Sequence, residues 1–169
     1  MSDFTVANGT KLERKWLAHF IDDTFGGTGG PHYGRLGKDL ESYAVEMNPD
    51  VEQKRNIIGE NTVTVKGYEL HSSVESFYAY VGDPLYEQLN DIVNTRATGT
   101  KLKTTVIDAT LEYNGETITV IEAYKEDVYV VPQSIGGEDG VQIPFDMYYA
   151  GNRTAVSGTI TNGVFTIGS

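Results

Sequence analysis

Ile107-Asp108-Ala109-Thr110-Leu111, followed by Asn114-Gly115 and then Thr117-Ile118-Thr119-Val120, decides the class of this fold. On either side of the Asn-Gly pair, apolar side chains stand at every second position. That period belongs to strands with one face on a core. Asn-Gly is the strongest short hairpin signal, because a type I′ turn needs positive φ at both central residues. The spacing therefore predicts an antiparallel hairpin, about residues 105–112 with about 117–124.

The same signals recur outward from this hairpin. Asn162-Gly163 predicts a second one, about 155–160 with about 164–168. Val63 and Val65 alternate with Thr62 and Thr64 until Gly67 lets the pattern change phase, as a bulge does. Val128-Tyr129-Val130-Val131 reads as a strand buried on both faces, or one with an aromatic side contact. Further strand candidates lie at about 15–21, 38–47 and 70–78. One segment has the other period. In Asp83-Pro84-Leu85-Tyr86-Glu87-Gln88-Leu89-Asn90-Asp91-Ile92-Val93-Asn94-Thr95-Arg96, Leu85, Leu89, Ile92 and Val93 form one stripe at i, i+4, i+7 and i+8. Asp83 is a good N-cap, Pro84 suits the first helical position, and Arg96 lies in the last turn. The expectation is mainly β structure with one helix packed on it. Residues 22–34, rich in glycine, and residues 48–61 read as two long loops.

Length and charge narrow the function. The chain has 169 residues and no cysteine, enough to bury a core with no disulfide or thiolate-held metal. There are 24 acidic and 13 basic side chains, for a net charge of −11. That excess argues against a nucleic-acid binder, which needs a basic face, and against a protein resting on anionic lipid. Met1-Ser2-Asp3-Phe4-Thr5 has no basic or apolar stretch of the signal-peptide kind, and no apolar run approaches membrane-spanning length. The expectation is a soluble domain made inside the cell, with no membrane partner. The charge is uneven. Residues 1–103 hold 11 basic and 15 acidic side chains, whereas residues 104–169 hold two and nine.

No motif carries catalysis, so no catalytic, cofactor-binding or metal site is expected. Gly37-Lys38 lacks the upstream glycine and downstream hydroxyl of a P-loop. His19, His32 and His71 show no metal-binding spacing, and His19 sits in the apolar run Trp16-Leu17-Phe20-Ile21 as a half-buried structural histidine would. No Gly-x-Ser-x-Gly elbow supports a hydrolase. The pairs Asp22-Asp23, Glu126-Asp127 and Glu138-Asp139 miss calcium-loop spacing, and the last reads as a solvated turn.

Several stretches in order carry a resemblance. Arg35-Leu36-Gly37-Lys38-Asp39-Leu40-Glu41 and Tyr43-Ala44-Val45-Glu46-Met47-Asn48-Pro49 come first. Glu52-Gln53-Lys54-Arg55-Asn56-Ile57-Ile58-Gly59-Glu60, Val63-Thr64-Val65-Lys66-Gly67-Tyr68-Glu69 and Asp83-Pro84-Leu85-Tyr86 follow. The last is Gln142-Ile143-Pro144-Phe145-Asp146-Met147-Tyr148-Tyr149-Ala150-Gly151-Asn152-Arg153. This set resembles the major tail (tail tube) proteins of tailed phages and prophages of Gram-positive bacteria. The resemblance implies that residues 1–169 are one tail-tube domain, an antiparallel β-sandwich or barrel-like fold with one flanking α-helix at about residues 84–96. It implies hexameric rings that stack into a tube. It also implies tape-measure, tail-terminator and baseplate partners, and DNA that passes without specific binding. The place would be the virion tail, after assembly in the bacterial host cytoplasm. No cofactor is implied. The loop over 48–61 would reach a neighbouring ring through Pro49, Asp50, Val51, Glu52, Lys54, Arg55, Ile57 and Ile58. The N-terminal segment and residues 22–34 would order on assembly. Lumen charge is expected chiefly from residues 104–146, with Asp108, Glu112, Glu116, Glu122, Glu126 and Asp127 as candidates. A type VI secretion-like tube and a monomeric ligand-binding β-barrel are the alternatives.

Overall fold

Strand-period sequence becomes one antiparallel sheet of nine strands in the computed structural model, which describes residues 3–168. Chain order is β1 (Leu17–Asp22), β2 (Tyr33–Leu36), β3 (Val45–Glu46), β4 (Pro49–Arg55), β5 (Asn61–Tyr68), β6 (His71–Val74), α1 (Pro84–Thr95), β7 (Lys103–Asn114), β8 (Thr117–Pro132), β9 (Phe145–Val156), β10 (Gly158–Thr161) and β11 (Val164–Ile167). Across the sheet the order is β10-β11-β2-β1-β7-β8-β9-β6-β3, and β4 and β5 pair separately as a two-stranded ribbon. The fold is mainly β with one α-helix, as the alternation predicts.

The middle strands separate two cores. Ala18 and Phe20 of β1 join Tyr33, Ile107, Ala109, Leu111, Ala123 and Phe165 on one side. Ile160 of β10 packs against the same cluster, so the sheet must coil until its first strand meets its sixth. Gly158 is needed there, because a Cβ would overlap the Thr166 carbonyl and the Phe165 ring. On the other side, Ile21, Val106, Val128, Val130 and Met147 meet Leu85 and Leu89 of α1. Leu40 and Tyr43, from the stretch after β2, cover the rest of that face.

The helix matches its sequence signals closely. Asp83 caps it by accepting from the Leu85 amide at 3.1 Å, with Pro84 at the first position. Arg96 ends it in the left-handed conformation, φ +53°. Both hairpins form as well. Asn162 and Gly163 carry φ of +51° and +76° in the type I′ manner. At the first hairpin Asn114 pairs with Thr117, so the turn residues are Gly115-Glu116, one position later than the Asn-Gly signal predicts.

Three expectations need correction. Residues 38–47 are not a strand beyond Val45–Glu46, since Gly37 (φ +148°) and Asp39 (φ +64°) break the extended path. Residues 48–61 are not all connection: Pro49–Arg55 is a strand paired with β5, and only 56–60 is a turn. Val128–Val131 alternates, with Val128 and Val130 in the core and Tyr129 and Val131 half-buried.

The segment before β1 is tied down by one carboxylate. Buried Glu112 accepts from the Thr5 and Val6 amides at 2.8 and 2.9 Å and from the Thr5 hydroxyl at 2.9 Å. Burial pushes its pKa up, but the three donors outweigh burial and hold the carboxyl below its ordinary range. A depressed folded value stabilises above the unfolded-chain value of about 4.3, and the effect disappears as pH falls through the folded value. Glu112→Ala should therefore speed hydrogen exchange at Thr5 and Val6 by about tenfold or more at neutral pH. The wild type should match it only below about pH 4. Unchanged exchange in the variant would refute this account. Leu89, fully buried in α1, supplies a test of the helix-covered core. Leu89→Ala should cost about 2–5 kcal/mol in denaturant unfolding, and a loss under about 1 kcal/mol would place the helix outside the core.

Candidate assembly surfaces

The β4–β5 ribbon is amphipathic with nothing of its own chain to cover it. Val51 faces Val65 and Gln53 faces Val63, while Glu52 faces Thr64 and Lys54 faces Thr62 on the opposite side. That opposite side is wet and self-paired, with Glu52 Oε1 3.0 Å from Lys54 Nζ and Oε2 2.8 Å from Lys66 Nζ. Both lysines hold the Glu52 carboxyl below its ordinary range. Val51, Val63 and Val65 are each about half exposed. A bulge at Asp50/Val51 sets the register, close to where Gly67 predicts a phase change.

The tip is built rather than loose. Asn56 Oδ1 accepts from the Ile58 and Glu60 amides at 3.1 and 3.0 Å, and Asn56 Nδ2 donates to Glu60 at 2.7 Å. Gly59 turns the chain at φ +88°. The result holds Ile57 and Ile58 in water, at 103% and 75% exposure. Of the residues expected to make contacts, Val51, Ile57 and Ile58 thus present bare apolar surface. Pro49, Asp50, Lys54 and Arg55 are exposed along β4, and Glu52 is half-buried by its lysines.

The six acids expected to charge a lumen occupy different environments. Glu112 is spent on the N-terminal segment. Asp108 bonds His19 Nδ1 at 2.6 Å and accepts from the Tyr149 hydroxyl at 2.9 Å. Glu126 is buried against Arg153 at 3.1 Å, and Asp127 meets Asn152 at 2.7 Å and Lys103 at 3.4 Å. Glu116 is exposed in the β7–β8 turn and Glu122 half-buried, neither with a side-chain partner among the described residues. The glycine-rich segment is organised by Asp22, which accepts from the Thr24 amide and hydroxyl and from the His32 amide. Beside it Asp23 meets His32 at 2.9 Å, and burial raises the Asp23 carboxyl above its ordinary range.

Sequence reading missed one polar cluster. His19 and Asp108 share a face because Leu17–Asp22 pairs with β7 in that register. Tyr43 packs edge-on to the His19 ring at 4.5 Å and donates to Ser72 at 2.9 Å. Burial pushes the Tyr43 hydroxyl to about 12, and burial together with Asp108 drives Tyr149 upward. The only available signal was a histidine in an apolar run, and its partners lie far away in sequence. No hydroxyl meets His19 Nε2 among the described residues. Nor do three or more His, Asp or Glu converge as a metal site among them. The coiled side of the sheet is packed by Phe20, Phe165, Ile107 and Leu111, all fully buried. No helix among the described residues is long and apolar enough to cross a membrane.

No protein-family model matches the chain, and no curated protein matches it. Solved structures do. The fold is similar to a chain of the PVC sheath–tube complex of an extracellular contractile injection system in its extended state, with a TM-score of 0.53. That likeness covers 92% of this chain and 99% of the other at 11% identity. The anti-feeding prophage tube-terminating cap scores 0.48 at 10% identity, over 92% of this chain and 97% of that one. At 11% identity the first likeness speaks to the fold alone.

Proposed function

We propose that this chain is a structural subunit that self-associates into rings, hexameric as the sequence resemblance implies, stacked into the tube of a phage tail. The observation that carries this reading is the bare apolar face and tip of the β4–β5 ribbon. A two-stranded ribbon is marginal alone in water, and exposed apolar surface of this kind marks a partner. Covering Ile57 and Ile58 returns about 3–6 kcal/mol. Association costs about 4–15 kcal/mol in lost freedom. The two ranges are of the same order, so one such contact makes a weak pair, and engaging several neighbours at once, as a stacked ring does, would make it hold.

The charge suits a conduit. Duplex DNA carries about one negative charge per 1.7 Å, so a basic lining would grip it. An acidic lining repels it within about 8–10 Å at physiological salt and keeps it sliding. The lumen charge would come from residues 104–146; of the six candidate acids, Glu116 and Glu122 are the two with no side-chain partner among the described residues. Tape-measure, terminator and baseplate proteins would be the further partners, in the virion tail.

Negative-stain electron microscopy of the concentrated chain should show rings or tubes. Replacing Ile57→Asp and Ile58→Asp should abolish them while shifting unfolding of the subunit by no more than about 0.5 kcal/mol, as for exposed sites. A wild type that stays monomeric at every concentration contradicts the reading, as does a variant that polymerises normally.

A further inference from the structure

A chain with 24 acids and 13 bases has carboxylates to spare for every cation it carries. Yet the lining of one cavity, about 580 Å³ in volume, holds Arg14, Lys15, Arg35 and Lys38 against a single carboxylate, Glu41. Strand pairing assembles them. β1 and β2 run antiparallel with His19 opposite Leu36, so the residues before β1 meet those at the end of β2. A turn closed by the Leu40 amide on the Gly37 carbonyl, at 3.1 Å, then places Lys38 in the same wall. Among the described residues, Arg14, Arg35 and Lys38 have no carboxylate within 4.0 Å. Lys15 has an exposed pair with Glu13 at 3.6 Å. Asp39, beside Lys38 in sequence, accepts from the Tyr80 hydroxyl at 2.7 Å.

Neutral groups hold the cations instead. Arg14 donates to the Leu17 and Tyr43 carbonyls at 2.7 and 3.0 Å. Arg35 donates to the Tyr113 hydroxyl at 2.6 Å and the Lys15 carbonyl at 2.8 Å. Lys15 Nζ lies 4.7 Å from the centre of the same Tyr113 ring, and Lys38 Nζ 3.8 Å from that of Tyr80. Such partners orient a cation without neutralising it. A guanidinium has five N–H donors, so two bonds apiece leave Arg14 and Arg35 with donors to spare. Like charges gathered on one wall repel one another, and a bound anion relieves that repulsion. The rest of the wall is apolar. Leu17, 47% exposed, is the one exposed residue of β1, and Leu36, Leu40 and Tyr43 join it in the lining. The volume falls within the range of about 300–1,000 Å³ for small-molecule sites, well beyond what an inorganic ion fills.

We propose that this cavity binds a small phosphate monoester with an apolar body. A monoester carries about −1.5 to −2 charges near neutral pH and three acceptor oxygens. That suits several cations at once, whereas a carboxylate brings one charge. The phosphate is held by Arg14, Arg35 and Lys38, and the body lies against Leu17, Leu40 and Tyr43. The site belongs to a single subunit and does not depend on the tube.

Phenyl phosphate is the probe, titrated into the full chain and followed by amide shifts over residues 35–43. Inorganic phosphate, which lacks the body, and phenol, which lacks the charge, are titrated alongside. Saturable binding of phenyl phosphate is expected, about tenfold or more tighter than either control. It should weaken as salt rises from about 0.1 M to about 1 M and the screening length falls from about 10 to about 3 Å. Lys38→Glu, at an exposed side chain, should weaken it about tenfold or more with the unfolding midpoint unchanged. Arg35→Gln should do the same and Arg35→Lys restore only part, because an ammonium lacks the guanidinium fork. Should Arg35→Gln fail to fold, the Lys38→Glu comparison decides. Phenyl phosphate that never saturates overturns the proposal, as does equal binding by the Lys38→Glu chain. Equal affinity for inorganic phosphate marks an adventitious ion only and overturns it. Equal affinity for phenol marks an apolar groove and overturns it too.

Discussion

Everything in this molecule hangs on a strand buried on both faces. From Ala18 to Asp22, β1 has no exposed residue, with Phe20 in one core and Ile21 in the other. A sheet with a core on each face cannot stay flat and small at once. It coils on one side until β10 reaches β8, and it takes α1 and the Leu40–Tyr43 stretch as a lid on the other. The one polar side chain in that strand facing the helix side, His19, is tolerated because Asp108 meets it across the ladder. Two buried donors or acceptors nearby, His19 Nε2 and Trp16 Nε1, have no partner among the described residues. The bare apolar surface lies at the periphery, in the ribbon and in the loops.

Legibility in the sequence follows from how local each signal is. The helix needed only Asp83, Pro84 and four apolar residues inside fourteen positions, and its limits came out within a residue. The Ile107–Val120 hairpin was equally local. β4 was hidden because its apolar face shows a single residue, Val51, among charges, and its partners Val63 and Val65 lie a turn away. Residues 38–47 misled in the opposite direction, since Leu40 and Tyr43 supply apolar content without a strand. The role in assembly proposed for the ribbon comes from the resemblance and not from any local signal in its residues.

Charge is allocated rather than scattered. Carboxylates inside the fold are matched to histidine, arginine, tyrosine or backbone amides, whereas the cations at the cavity are left to carbonyls, hydroxyls and rings. An acidic total thus coexists with a local excess of positive charge.

The long β7–β8 ladder has a mechanical meaning. Twelve residue pairs join these strands side by side, from Lys103–Tyr129 to Asn114–Thr117. Their hydrogen bonds run across the strands. A pull along the strand axis loads those bonds together, in shear, so none fails before its neighbours share the strain. A pull across the strands would peel them one by one. The subunit is therefore stiff in one direction and tearable in another, and an assembly that must survive sudden axial force would do well to align its strands with that force.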